Sequence, residues 1–173
     1  QYDILIRGGT VYDGGDTPGR VGDVAIKGER IVAVGTVPAT ATARRVIDAK
    51  GKIVSPGFID PHSHAGPNIA TPALAAALPI LHQGITTVIV SPDGGGPADL
   101  TDQIANTRGV RPGVNVIPLI GHNAVREAVM GNVDRKATPA EQAKMEGLVT
   151  AAMRAGAYGL SDGPFYIPSK YSD

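Results

Sequence analysis

Two histidines separated by one serine, His62 and His64, close the run Pro56-Gly-Phe-Ile-Asp-Pro-His-Ser-His64. Where an extended chain opens into a loop, side chains at i and i+2 leave on the same side, so both imidazoles can offer a nitrogen to one divalent cation. The competing reading is that two of the chain's four histidines fall together by chance, or that one of them caps a turn. The apolar run before the pair and the adjoining Pro61 argue against a solvated histidine tract, and metal ligation is the expected chemistry.

The elements that must hold this pair change character near residue 55. Before it come short β-patterned stretches, Tyr2–Arg7, Thr10–Tyr12, Val24–Ile26, Arg30–Val34 and Arg45–Ile47. Turn signals at Gly8-Gly9, Asp13-Gly14-Gly15 and Lys27-Gly28 separate them, which predicts a small β-sheet unit over residues 1–54 with a hairpin at Gly28-Glu29. After residue 55, strand and helix patterns alternate, as in parallel βαβ units. Strands are predicted at Ile53–Ile59, Thr86–Val90, Val114–Ile120 and Ala157–Leu160. Thr71 and Pro72 predict a helix start, with Ala73–Gln83 helical, kinked by Pro79 and stopped by Gly84. A second helix is expected over Pro97–Arg108. Thr138-Pro-Ala-Glu141 reads as a capping box, and the stripe Met145, Leu148, Val149, Ala152 and Met153 after it as core.

The His-x-His after Pro-Gly-Phe-Ile-Asp resembles the first-strand signature of the amidohydrolase superfamily, metal-dependent hydrolases built on a (β/α)8 barrel. Gly84-Ile-Thr-Thr-Val-Ile-Val90, Gly121-His-Asn-Ala-Val-Arg-Glu-Ala-Val-Met-Gly131 and Gly156-Ala-Tyr-Gly-Leu-Ser-Asp-Gly163 resemble segments of the N-acyl-D-amino-acid deacylases, or D-aminoacylases. The resemblance implies an α/β fold: residues 55–173 as strands 1 to 4 of a metal-dependent (β/α)8 TIM-type barrel, and residues 1–54 as part of a small β-sandwich. Closure of such a barrel takes eight strands and roughly 250 residues, and an open half leaves two unpaired edges. The expectation is therefore that the chain does not fold alone. Either it is truncated or, the favoured reading, the C-terminal half of the same protein remains associated as a separate chain after cleavage near Asp173.

The same resemblance suggests further site residues. Asp93, in Ser91-Pro-Asp-Gly-Gly-Gly96, stands where D-aminoacylases often carry a metal-binding cysteine. A carboxylate is a harder ligand than a thiolate, which implies weaker zinc binding or wider metal tolerance; the alternative is a turn aspartate in a Gly-rich loop. Related enzymes often bring a carboxylated lysine to the end of strand 4, where this chain has Gly159-Leu160-Ser161-Asp162. Lys170, in the following loop, is a weak candidate ligand whose default is solvent. Asp162 either steadies a histidine or caps its loop. His122, Asn123 and Arg126 are expected at the barrel mouth, with Asn123 a donor and Arg126 a fixed cation for a substrate carboxylate. In the structural alternative the histidine bonds backbone and the arginine pairs with a carboxylate. Tyr166, in the family's Tyr-x-Pro, lines a substrate pocket or packs. His82, within a helical run, reads as structural.

The implied chemistry is amide hydrolysis by metal-activated water on N-acyl-D-amino acids or small peptide-like amides, with one or two divalent ions, zinc foremost. The family's catalytic aspartate and two further metal-binding histidines lie on strands 5 to 8, so no catalytic residue is assigned within residues 1–173. The alternatives are a cyclic-amide hydrolase of the dihydroorotase or hydantoinase type, which the missing strand 4 lysine disfavours, and a non-catalytic scaffold subunit.

Composition excludes other classes. Sixteen basic and sixteen acidic side chains cancel and aromatic residues make up only 4% of the chain, so neither nucleic acid nor an anionic membrane surface is an expected partner. The absence of cysteine rules out disulfides and a thiolate nucleophile. No apolar run approaches the roughly 20 residues of a membrane span. The partner expected besides the C-terminal half is a small-molecule amide, with a homo-oligomer left open. A first residue of Gln1 fits removal of a secretory signal or an arbitrary start, and a periplasmic or secreted location is favoured over the cytoplasm.

Overall fold

A glycine joins the first two predicted strands into one. In the computed structural model, which describes residues 1–172, β1 runs Tyr2–Val11 and pairs antiparallel with β2 (Arg20–Lys27). Their register slips between Ile6 and Gly9, where Gly8 takes a left-handed φ of 68°. The bulge is held by Asp23, which accepts from the Gly8 amide at 2.9 Å and from Arg7 Nη1 at 2.8 Å. A bulge uses one extra residue to re-aim a strand, and glycine adopts its backbone without strain. The hairpin from β2 to β3 (Arg30–Gly35) turns at Gly28-Glu29, as the sequence predicts. β4 (Ala43–Asp48) and β5 (Ile53–Val54) both pair parallel with β1, giving the order β3-β2-β1-β4 with β5 also on β1. Leu5, Ala25 and Val37 are the buried centre of this unit, which spans Gln1–Pro56.

The second unit begins at Gly57. Its strands are β6 (Phe58–Ser63), β7 (Ile85–Val90), β8 (Asn115–Pro118), β9 (Ile120–Gly121) and β10 (Leu160–Ser161). All their pairings are parallel: β6 with β7, β7 with β8, and β9 with β10. β8 and β9 are two pieces of one predicted strand interrupted at Leu119, whose amide donates to Val90 O at 3.1 Å. Val88 and Val90, which share one face of β7, are fully buried, while Thr87 before them and Ile89 between them are only partly covered. The predicted strand Ile53–Ile59 is divided instead: Ile53 and Val54 belong to the first sheet, and β6 starts after Gly57.

Helices fill the connections, with two departures from prediction. A four-residue helix, α1 (Gly66–Ile69), comes first, and where one helix is expected over Ala73–Gln83 the chain forms turns and a single four-residue helix, α2 (Leu78–Leu81). Thr71 donates its hydroxyl to Asn68 O rather than accepting from a first turn, and Ala77 is left-handed at φ 51°. Pro79 fits only the first turn of a helix, where its missing N–H leaves no gap, so the helix starts beside it. The second helix, α3, runs Thr101–Val110 and not from Pro97. α4 (His122–Met130) follows β9 directly. α5 (Pro139–Ala155) carries the predicted capping box: Thr138 Oγ1 accepts from the Glu141 amide, and Glu141 accepts from the Thr138 amide. Met145 and Ala152 of its stripe are buried with Leu148 and Val149 packed alongside, whereas Met153 is 44% exposed and lies outside the core. Among the described residues no helix is long and apolar enough to cross a membrane.

Candidate metal centre

His62 and His64 reach the same place by a bulge and not by plain strand alternation. The β6–β7 register slips between Asp60 and Ser63, with three steps on β6 opposite two on β7. Pro61 has no N–H to give the ladder, which makes this the point where the strand yields. The His62 amide then donates to Asp60 Oδ1 at 3.1 Å, and His64 lies just beyond the strand end. The two rings are 5.5 Å apart between centroids and tilted by 59°.

Asp93 completes the group. Its Oδ2 lies 3.1 Å from His62 Nε2 and 3.4 Å from His64 Nε2, and one ligand atom from each of the three residues falls within 4.8 Å of the others. Tetrahedral donors about 2.0–2.2 Å from an ion stand roughly 3.3–3.6 Å apart, so the carboxylate sits at ligand spacing from His64 and slightly closer, at hydrogen-bond distance, to His62. Two imidazole nitrogens and one carboxylate oxygen form a mixed set suited to a divalent transition ion. Both histidine side chains are more than half exposed in this chain.

The loop that carries Asp93 is held in an uncommon backbone. Ser91 (φ 63°) and Asp93 (φ 59°) are both left-handed without being glycine. Asn and Asp tolerate this region better than most residues, yet it still needs outside support. Ser161, at the end of β10, donates to Ser91 O at 2.6 Å and accepts from the Gly94 amide at 3.1 Å. Asn123, in the first turn of α4, donates from Nδ2 to Asp93 O at 2.9 Å, and the Ala124 amide donates to Gly94 O at 3.1 Å.

The residues expected at the mouth divide between two places. Asn123 and Tyr166 line a cleft of about 760 Å³ together with His64, Asp93, Pro67, Ala70 and Ile167. Asn123 is nonetheless buried with both ends of its amide committed, Nδ2 to Asp93 O and Oδ1 to the Ser169 amide at 2.7 Å, so it braces the loop where a substrate donor was expected. Tyr166 is half exposed on the cleft wall, its ring edge-on to Phe165.

His122 and Arg126 face a different cavity of about 380 Å³ with Asp162 and Gln142. His122 Nδ1 lies 2.7 Å from Ser169 Oγ and 3.0 Å from Asp162 Oδ1, so Asp162 steadies a histidine. Burial pushes the Asp162 carboxyl up, but hydrogen bonds from Ser169, His122 and the Gly163 amide outweigh it and hold the group below the ordinary carboxylate range.

Arg126 is neither the fixed cation at the mouth nor, among the described residues, the partner of a carboxylate, the two expected roles; it is bonded to backbone carbonyls. It is 2% exposed, and its Nη2 donates to the carbonyls of Arg135 at 2.7 Å, Val133 at 3.3 Å and Tyr171 at 3.4 Å. On α4 it shares the inward face with Val125 and Met130, and carbonyls of the turn after the helix accept from its Nη2, while its Nε is buried without a partner among the described residues. Lys170 also stays away from the three-residue group: it is exposed in a short 3-10 helix, Ser169–Tyr171, with Nζ 5.4 Å from the Tyr171 ring centre. His82 caps the end of α2 and is exposed. Sequence reasoning missed Ser161 and Ser169 altogether. Ser161 was within reach of the rule that strand ends carry site residues, whereas nothing local marks Ser169.

Parallel strands whose ends bring His-x-His and a carboxylate together fit part of a metal-dependent α/β barrel. The amidohydrolase family profile matches residues 45–168, and the chain belongs to that family. It is similar to the N-acyl-D-aspartate deacylase of Alcaligenes xylosoxydans xylosoxydans, 41% identical over 193 residues that cover 98% of this chain and 38% of that protein. A solved D-aminoacylase, described for its binuclear metal center, matches at TM-score 0.91 and 35% identity over 100% of this chain and 41% of its own. The N-acyl-D-glutamate deacylase from Bordetella bronchiseptica, solved with zinc and a phosphonate mimic of the tetrahedral intermediate, matches at TM-score 0.86 and 32% identity over 100% of this chain and 40% of its own. The chain therefore shares the α/β fold of these deacylase structures over its whole length, as a part of their larger barrel. The chain spans 38% of the curated relative's length.

Proposed function

We propose that this chain supplies the first half of a metal-dependent amidohydrolase that cleaves the amide of N-acyl-D-amino acids. The observation that carries the reading is the convergence of His62, His64 and Asp93 at the edge of the 760 Å³ cleft. The deacylases named above, similar over the whole chain, support the substrate class. His62 Nε2, His64 Nε2 and Asp93 Oδ2 would hold a divalent ion, and the zinc in the Bordetella relative supports zinc as that ion. Such an ion lowers the pKa of bound water toward neutrality and polarises a carbonyl.

The chain's own residues account for placement. The exposed side of the two imidazoles admits the amide, and the apolar wall of Pro67, Ala70 and Ile167 suits an acyl chain. Tyr166 offers a phenol to the polar end of the substrate from the same wall. A carboxylate outside residues 1–173, as the family resemblance implies, would take the proton from water and return it to the leaving amine.

The reading is tested on the full-length protein by metal analysis together with hydrolysis of N-acetyl-D- and L-amino acids. His64→Ala is expected to lose at least one metal equivalent and to abolish turnover of the D-substrates while the protein stays soluble. Unchanged metal stoichiometry in that variant, or a wild type that hydrolyses none of the acylated amino acids, would overturn it.

A further inference from the structure

We propose that Asn123 is the positioning residue of the metal centre: it fixes the backbone of Asp93 so that the carboxylate meets His62 and His64, and so sets metal affinity without touching the ion. The inference rests on the reading of His62, His64 and Asp93 as a metal centre.

Three features carry it. First, the peptide joining Asp93 to Gly94 is held on both sides: its carbonyl accepts from Asn123 Nδ2 at 2.9 Å and its N–H donates to Ser161 Oγ at 3.1 Å. The left-handed Asp93 is therefore steadied at the peptide that follows it, and Asn123 is the side chain that holds its carbonyl. Rotation of that peptide would swing Oδ2 away from the imidazoles.

Second, the Asn123 amide has only one sensible orientation. Its oxygen faces the Ser169 N–H at 2.7 Å and its nitrogen faces a carbonyl, so a flipped amide would set donor against donor and acceptor against acceptor. Ser169 is fixed in turn, its hydroxyl bonding Asp162 Oδ1 at 2.9 Å and lying 2.7 Å from His122 Nδ1. The chain of bonds runs from the loop after β10, through Asn123, to the metal-facing loop after β7.

Third, the space around the contact is closed. A Cβ added to Gly94 would come within 2.7 Å of Asn123 Nδ2, and one added to Gly163 within 2.5 Å of Asp93 O. The loop therefore lies directly against Asn123, so a change in that side chain is felt at Asp93.

The test is a double-mutant cycle on the full-length protein, read as zinc affinity by competition with a chromophoric chelator. Asn123→Asp keeps the acceptor for Ser169 but replaces the donor to Asp93 O by an oxygen. It should weaken zinc about 10- to 100-fold, the range for partners that orient ligands. In an Asp93→Ala background the same change should have no further effect, because Asn123 acts through Asp93. Equal weakening in both backgrounds, or undiminished affinity in Asn123→Asp, would overturn the inference while leaving the metal centre intact. A wild type that binds no zinc would remove the centre and the inference together. Should Asn123→Asp not yield folded protein, Asn123→Ala, which adds no charge, is read in the same cycle.

Discussion

Asp162 shows how one carboxylate in this site ties charge to stability. Its folded-state pKa is depressed by Ser169, His122 and the Gly163 amide, against the upward push of burial. A depressed carboxyl stabilises the fold above its unfolded pKa, and that contribution disappears as pH falls through the folded value. Asp162→Asn should therefore be less stable than wild type near neutrality, and the gap should close as pH is lowered through about 4 and below. Because the side chain is nearly half exposed, solvent screening limits the gap to about 1 kcal/mol or less. Denaturant unfolding of both proteins across that pH series checks it; a gap that stays constant in acid would show that the carboxylate is not what Ser169 and His122 read. The same residue explains why His122 does not stand free at the mouth: its Nδ1 is already between an acid and a hydroxyl.

At the level of elements, glycines decide how closely the Asp93 loop can lie on the start of α4. A Cβ at Gly121 would run into the carbonyl oxygens of Gly94 and Gly95, which are backbone and cannot swing aside. Gly121→Ala is expected to lower stability by about 1–3 kcal/mol through overpacking and to weaken zinc binding as the loop is displaced. Gly147, exposed in the middle of α5, is the internal control, because a Cβ there would meet nothing within 4 Å. Gly147→Ala should raise stability by about 0.5–1 kcal/mol by helix propensity alone, with metal affinity unchanged. Thermal unfolding and zinc titration of the pair separate the two effects; equal responses would mean that the contact at Gly121 is unimportant.

For the molecule as a whole, the exposed apolar surface of the second unit bears on association. Phe58, Ile59, Leu160 and Phe165 are each more than half exposed, and β6 and β10 each pair with one strand among the described residues. Open strand edges beside apolar side chains recruit further chains. Residues 1–173 expressed alone should therefore self-associate at micromolar concentration, seen by light scattering during size-exclusion chromatography. A sharp monomer peak would contradict this.

Several features were legible in the order of residues: the β unit ahead of residue 55, the βαβ alternation after it, the α5 capping box and the His62–His64 pair. Each is written in short-range pattern, since side-chain period, caps and turn residues act over a few positions. Asp93 needed the family resemblance, because a turn aspartate and a ligand look alike in one dimension. Tertiary structure alone decided the rest. It broke the predicted Ala73–Gln83 helix around Pro79 and Ala77, and it gave Ile53-Val54 to the sheet of the first unit. It buried Arg126 under carbonyls of the turn after α4, and it turned Asn123 from an expected substrate donor into the brace of the Asp93 loop. The physical reason recurs at both asparagine and histidine: a polar side chain's role is fixed by the donors and acceptors that folding brings to it from distant positions, as Asp93 is brought to Asn123 from 30 positions away and Ser169 to His122 from 47.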